Sequence, residues 1–253
     1  MMPSVAQSLG IYRRMHWSRL KRGRLRFAAA ILLLLPLAGT AIALPFARDL
    51  FDNVLDIYFR FLLPFVPALG ASAMVSEEIE GKTFTFIFAR PAPRWTMVIG
   101  KYIALCVPLS LAFAVSIACA YGLSSLRGTG EDFANGLPHL ARVLLATVLG
   151  VFVYGALAAV IGSWFTRHPF VAVMLYLLLV EALLGSTPVI VNLVALSWHL
   201  RNLAGLSLPE TSFFASELHV PLWSSTVTLT GIGGISLFLA SLGVNGTEYR
   251  TDR

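Results

Sequence analysis

Two short runs in this chain look like sites of chemistry, and both fail on physical grounds. Ser76-Glu77-Glu78-Ile79-Glu80-Gly81-Lys82-Thr83 ends in the Gly-Lys-Thr of a phosphate-binding loop. Ser76, however, stands where the first glycine is needed, and Glu77, Glu78 and Glu80 would aim negative charge at a polyphosphate. An apolar run precedes the segment, not a strand, so the strand–loop–helix context is missing as well. Gly70-Ala71-Ser72-Ala73 offers a serine in an apolar run, but a serine nucleophile needs a base within hydrogen-bond reach. His16, His139, His168, His199 and His219 all lie outside the apolar runs. Small residues there point instead to close helix packing. No His, Cys, Asp and Glu grouping has metal-ligand spacing, so the expectation is that this chain binds no metal or cofactor.

Glu181 is different, because it is the one carboxylate clearly inside an apolar run. An ionised carboxylate at mid-membrane costs about 2.5–3.5 kcal/mol on insertion scales, so such a residue faces a bundle interior or a wet cavity. It reads either as an interhelical hydrogen bond or as a contact for a polar or cationic part of a transported molecule.

The elements that must position these residues are membrane helices. Of the 253 residues, 57% are hydrophobic and 13% charged, about half the charge of a soluble domain. Uncharged runs cover Phe27–Ala47, Phe61–Ser76, Tyr102–Ser125, Val143–Thr166, Pro169–Val180 and Val220–Thr247. The second is extended by Ile57–Arg60, with Arg60 snorkelling, and the fifth continues past Glu181 to about Ile190. Each then reaches or approaches the ~20 residues that cross a bilayer, and none shows the alternation of a barrel strand. The fold class is therefore all-α, a polytopic membrane protein of six transmembrane helices in one domain, 1–253. The first run, at 21 residues, exceeds the ~7–15 of a signal peptide core and reads as an uncleaved span. Cys106 and Cys119 are 13 residues apart in one run, about 20 Å along a helix and beyond disulfide reach.

Charge placement sets orientation. With the N-terminus inside, 14 of the 19 Lys and Arg fall on cytoplasmic segments and 5 outside, so both termini are expected in the cytoplasm. The segments near Asp49–Asp56, Gly128–Pro138 and Asn192–Leu222 become outer loops. The net charge of +6 follows this pattern and forms no patch for nucleic acid. Residues 8–26 mix Leu, Ile, Tyr and Trp with seven basic residues, the makeup of a helix lying on an anionic leaflet. Residues 187–222 form an outer amphipathic or re-entrant segment, with Leu193, Leu196, Leu200 and Leu203 at helical spacing and Asn192, His199 and Asn202 on another face.

The loop 76–102 carries the most information. Its apolar centre, Thr83-Phe84-Thr85-Phe86-Ile87-Phe88, is too short to span a membrane and too apolar to lie in water uncovered. It is either tucked under the bundle or docked on a cytosolic partner, with charges on both flanks to set register. Glu77, Glu78, Glu80, Gly81, Pro91, Arg94, Gly100 and Lys101 follow one another here in order. In that order the loop resembles the first cytoplasmic loop of type-2 ABC transporter permeases, which is glutamate-rich, then Gly-(Lys/Thr), apolar, Arg/Thr-Pro-x-x-Arg, and finally Gly-Lys. Ala89-Arg90 stands where Thr or Ser often precedes the proline, a minor departure. The layout is also similar: a basic amphipathic start, six spans, and re-entrant helices between spans five and six.

The resemblance implies a permease subunit of a bacterial ABC transporter, an exporter, in the cytoplasmic (inner) membrane. It implies two partners besides lipid, namely a second permease copy, identical or related, and a separate ATPase chain that holds ATP and Mg. It makes residues 76–95 the coupling loop, with Glu77, Glu78, Glu80, Gly81, Phe86, Phe88, Pro91 and Arg94 docking on the ATPase. It also lines the pathway with spans two and five, making Phe61, Phe65, Tyr176 and Glu181 candidates. The alternatives are a membrane scaffold that holds a cytosolic partner without transport, and a membrane-embedded enzyme, which lacks any paired catalytic residues.

Overall fold

The computed structural model describes residues 7, 10, 11, 13, 14, 38, 39, 50–80, 94–126, 130–183, 195–206 and 221–246; for 50, 73, 75–80, 130–132, 245 and 246 it describes the backbone alone. The expected first span, nearly all of the 8–26 helix and loop residues 81–93 lie outside this set. Every element within it is helical.

Leu50–Ile57 (α1) passes through one π-helical turn, Tyr58–Leu62, into Leu63–Glu80 (α2). The sequence reading makes Asp49–Asp56 an outer loop, but the chain is already helical from Leu50. Spacing explains the difference: Asp52, Asp56 and Arg60 recur every four residues and form a polar stripe, while Val54, Leu55, Tyr58 and Phe59 are buried. Phe51–Ser72 is then one continuous apolar helix of membrane-spanning length. At the other end, the helix runs to Glu80, so Glu77, Glu78 and Glu80 occupy its last turn and not a loop.

Trp95–Ser125 (α3) and Gly130–Trp164 (α4) are the two longest helices, and Pro108 and Pro138 lie within them. Gly128–Pro138, expected as a loop, is helical from Gly130. An aromatic group supports these first turns: the Tyr121 hydroxyl donates to the Phe133 carbonyl (2.6 Å), and Phe51 stacks edge-on with Tyr121 at 5.2 Å. A tight turn then leads to Pro169–Tyr176 (α5), which begins with proline at its first position and continues as a second π-helical segment, Leu177–Leu183. Pro169–Leu183 is apolar but only 15 residues, about 22 Å. Its expected extension to Ile190 lies outside the described residues. Leu196–Ala204 (α6) is a short helix and Leu222–Gly246 (α7) a long one.

Among the described residues, four helices are thus long and apolar enough to cross a membrane: Phe51–Ser72, Trp95–Ser125, Phe133–Trp164 and Leu222–Val244. The central one is α4, which packs against α2, α3, α5, α6 and α7. On α7 most of the surface faces outward, with Val227, Ile235 and Phe238 exposed, as suits a lipid-facing helix. The small residues Gly70–Ser72 form a packing surface. Gly70 lies against Leu105, and a methyl group on Gly162 would overlap the Ser72 carbonyl, so α2 and α4 meet backbone to backbone. The Ser72 hydroxyl donates to Leu69 of its own helix (3.0 Å). Nearby, the Lys101 ammonium donates to the Met74 carbonyl (2.8 Å). Cys106 is buried, Cys119 is exposed, and both are free thiols.

Candidate functional site

Helix α6 cannot cap itself. Ala195 at its N-cap offers no side-chain acceptor, so the first backbone N–H groups need a partner from elsewhere. Glu181, on the π-helical segment after α5, supplies it. Its Oε1 accepts from the Leu196 N–H (3.0 Å) and its Oε2 from the Ser197 N–H (3.0 Å). The same two oxygens accept from tyrosine hydroxyls, Oε1 from Tyr176 (3.2 Å) and Oε2 from Tyr154 (3.0 Å). A carboxylate at a helix N-terminus also meets the positive end of the helix dipole. Four donors on two oxygens make Glu181 an anchor for α6, in line with the hydrogen-bonding reading of this residue.

The other end of α6 is fixed locally. Gly205 adopts a left-handed conformation (φ 72°), with its N–H on the Asn202 carbonyl (3.2 Å) and the Leu206 N–H on the Arg201 carbonyl (3.0 Å). This pair of bonds is a Schellman motif, and it is the reason glycine occupies position 205. Leu196, Leu200 and Leu203 are buried, as their spacing predicts. His199 and Asn202 are also engaged: both contact the Ser225 hydroxyl of α7, His199 Nδ1 at 3.2 Å and Asn202 Nδ2 at 2.9 Å. Arg201 pairs with Asp56 of α1, Nη1 to Oδ1 at 2.6 Å. Three elements, the second π segment, α7 and α1, therefore hold one nine-residue helix.

Beside this clamp lies a cavity of about 380 Å³ between α2, the second π segment and α6, with Arg60, Phe61, Phe65, Leu178, Glu181 and Trp198 in its lining. The candidate pathway residues thus converge: Phe61, Phe65 and Glu181 share this cavity, and Tyr176 reaches it through its bond to Glu181. A second cavity of about 700 Å³ is lined by Asp52, Asp56, His139 and Arg201, with His139 Nε2 3.7 Å from Asp52 Oδ1. Of the coupling-loop candidates, the described side chains include Arg94 alone. Arg94 is exposed immediately before α3, and its carbonyl accepts from the Met97 N–H (3.1 Å). Gly81, Phe86, Phe88 and Pro91 lie outside the described residues, as do the side chains of Glu77, Glu78 and Glu80.

Sequence reasoning finds Glu181 and Tyr176 but not Tyr154, Ser225 or the two α6 amides. A tyrosine hydroxyl inside an apolar run, as at Tyr154, was the available signal, since such a group needs a partner.

The helices and this polar clamp define a multi-pass membrane protein. Residues 12–241 match the family described as ABC-2 family transporter protein, and the chain belongs to that family. No curated protein matches it.

Proposed function

We propose that the chain is the permease subunit of a bacterial ABC exporter, working as a dimer in the cytoplasmic membrane with a separate ATPase that holds ATP and Mg. The family match over residues 12–241, which includes the loop 76–102, carries this reading. ATP-driven closure of the ATPase pair pushes on residues 76–95, the last turn of α2 and the loop that follows it. The loop continues from the end of α2 and leads into α3, so displacement there tilts both helices and reaches the cavity between α2 and the segment around Glu181. Phe86 and Phe88 insert into the ATPase, and Glu77, Glu78, Glu80 and Arg94 set its register around Gly81 and Pro91.

Co-reconstitution with the ATPase of the neighbouring reading frame tests this reading. The permease should stimulate ATP hydrolysis, and Phe86→Asp should abolish the stimulation while the variant still inserts and dimerises. Unstimulated hydrolysis with the parent chain would favour a scaffold. For sidedness, reporter fusions at Thr251 should behave as cytoplasmic and fusions at Gly130 as external.

A further inference from the structure

Both π-helical segments among the described residues border the same cavity. Tyr58–Leu62 contributes Arg60 and Phe61, and Leu177–Leu183 contributes Leu178 and Glu181. A π turn is a rare irregularity that concentrates at functional sites, and here residues of two of them line one space. We propose that the cavity binds a membrane amphiphile with an anionic headgroup. This names a substrate class and rests on the permease reading above.

The cavity has two chemically distinct parts. Phe61, Pro64, Phe65 and Leu178 give an apolar wall, and Arg60 and Arg201 place two guanidinium groups in the same lining. Its volume, about 380 Å³, lies in the range of small-molecule sites. Phe61, Phe65 and Leu178 are exposed along the helix flank, so an apolar chain can enter sideways from lipid.

Charge decides between an anionic and a cationic headgroup. Glu181 already accepts four hydrogen bonds, two of them from a helix N-terminus, and is satisfied without a ligand cation. Asp56 is shared between two arginines, at 2.6 Å from Arg201 and 3.9 Å from Arg60. The formal charges of Arg60, Arg201, Asp56 and Glu181 cancel, but both carboxylates are engaged, Glu181 by four donors and Asp56 by the close Arg201 pair, while Arg60 is more than half exposed and is the charged group open to a ligand. Arginine donates in a fork that matches phosphate and carboxylate oxygens.

The test uses the purified full chain in nonionic maltoside micelles, titrated with dihexanoyl phosphatidic acid, dihexanoyl phosphatidylcholine and inorganic phosphate. Tryptophan fluorescence reports binding, and Trp198→Phe identifies the part of the signal that comes from the cavity. The expected result is a saturable Trp198 response to phosphatidic acid, at least tenfold weaker for phosphatidylcholine and absent for phosphate. Arg60→Gln should weaken phosphatidic acid at least tenfold and Arg60→Lys should recover most of it, with both variants eluting as the parent does. Equal responses to the two lipids, a response to phosphate alone, or an unchanged Arg60→Gln titration would each overturn the proposal. So would a change of oligomeric state in Arg60→Gln with no lipid response, because the groove would then seat a second copy. Stimulation of the ATPase is read separately. A failed titration with intact stimulation removes only this inference, and lost stimulation with intact binding removes the permease reading.

Discussion

The two ends of the helix bundle are held together by different physics. At the end where α2 nears Glu80, Gly162 meets the Ser72 backbone directly, Gly243 meets the Ser163 and Trp164 side chains, and the Lys101 ammonium donates to the Met74 carbonyl. At the other end two helices loosen into π turns, and a short helix is held by a carboxylate, an ion pair and a shared serine hydroxyl. Close packing has one good arrangement and resists displacement. Hydrogen bonds and ion pairs depend on single donors and acceptors, so the polar end is the one where one substitution removes a named contact.

Substitutions should separate the two ends, beginning with the largest effect. Gly162→Leu forces a side chain into the Ser72 carbonyl, which cannot move aside because it is backbone. Overpacking of this kind costs about 1–3 kcal/mol and more where backbone is displaced, so little folded protein should remain on size-exclusion chromatography. Gly205→Val should rank next, since a β-branched residue is strained at φ 72°, with a lower melting temperature and with α6 affected before the close-packed end.

Glu181→Leu removes one acceptor from each of four donors. With about 1 kcal/mol for a lost helix cap and about 1–3 kcal/mol for a buried donor left unpaired, a loss of about 2–4 kcal/mol is expected in thermal unfolding. Glu181→Gln keeps one oxygen and should fall between the parent and leucine. If the charge of Glu181 serves transport as well as structure, the glutamine variant will assemble with its ATPase and lose transport. Transport at the parent rate would leave Glu181 as an anchor alone. The smallest effects belong to the flanks. Ser225→Ala removes the hydroxyl that His199 and Asn202 share, for about 1 kcal/mol. Asp56→Asn should cost about 1 kcal/mol or less, and raised salt should shrink the difference, because Asp56 is more than a third exposed.

The close-packed end was the more legible in sequence. Gly70-Ala71-Ser72 inside an apolar run has a direct physical meaning, and the packing follows it. Phe61 and Phe65, four apart, fall on one helix face and do share a cavity. Glu181 stands out because a carboxylate in an apolar run needs a partner. What it binds was not legible: Tyr154 is 27 residues away and the α6 amides 15 or 16, and Ala195 carries no local sign of capping. Hydropathy also misplaced two boundaries. Charges at Asp52, Asp56 and Arg60 end an apolar run without ending a helix, because their spacing confines them to one stripe. The start of α4 was hidden in the same way by the polar residues of Gly130–Pro138. Neither π turn has a sequence signal, since each arises from how neighbouring helices meet.

Hydrogen–deuterium exchange on the purified chain, comparing the parent with Glu181→Leu, tests most directly whether one carboxylate orders the polar end. In the parent, the Leu196 and Ser197 amides should exchange slowly, because Glu181 accepts from both. In the variant, peptides covering Leu196–Ala204 should exchange at least tenfold faster, about 1.4 kcal/mol of lost protection, while peptides covering Ala158–Trp164 stay as in the parent. Unchanged exchange at Leu196 and Ser197, or an equal rise in both regions, would contradict the account.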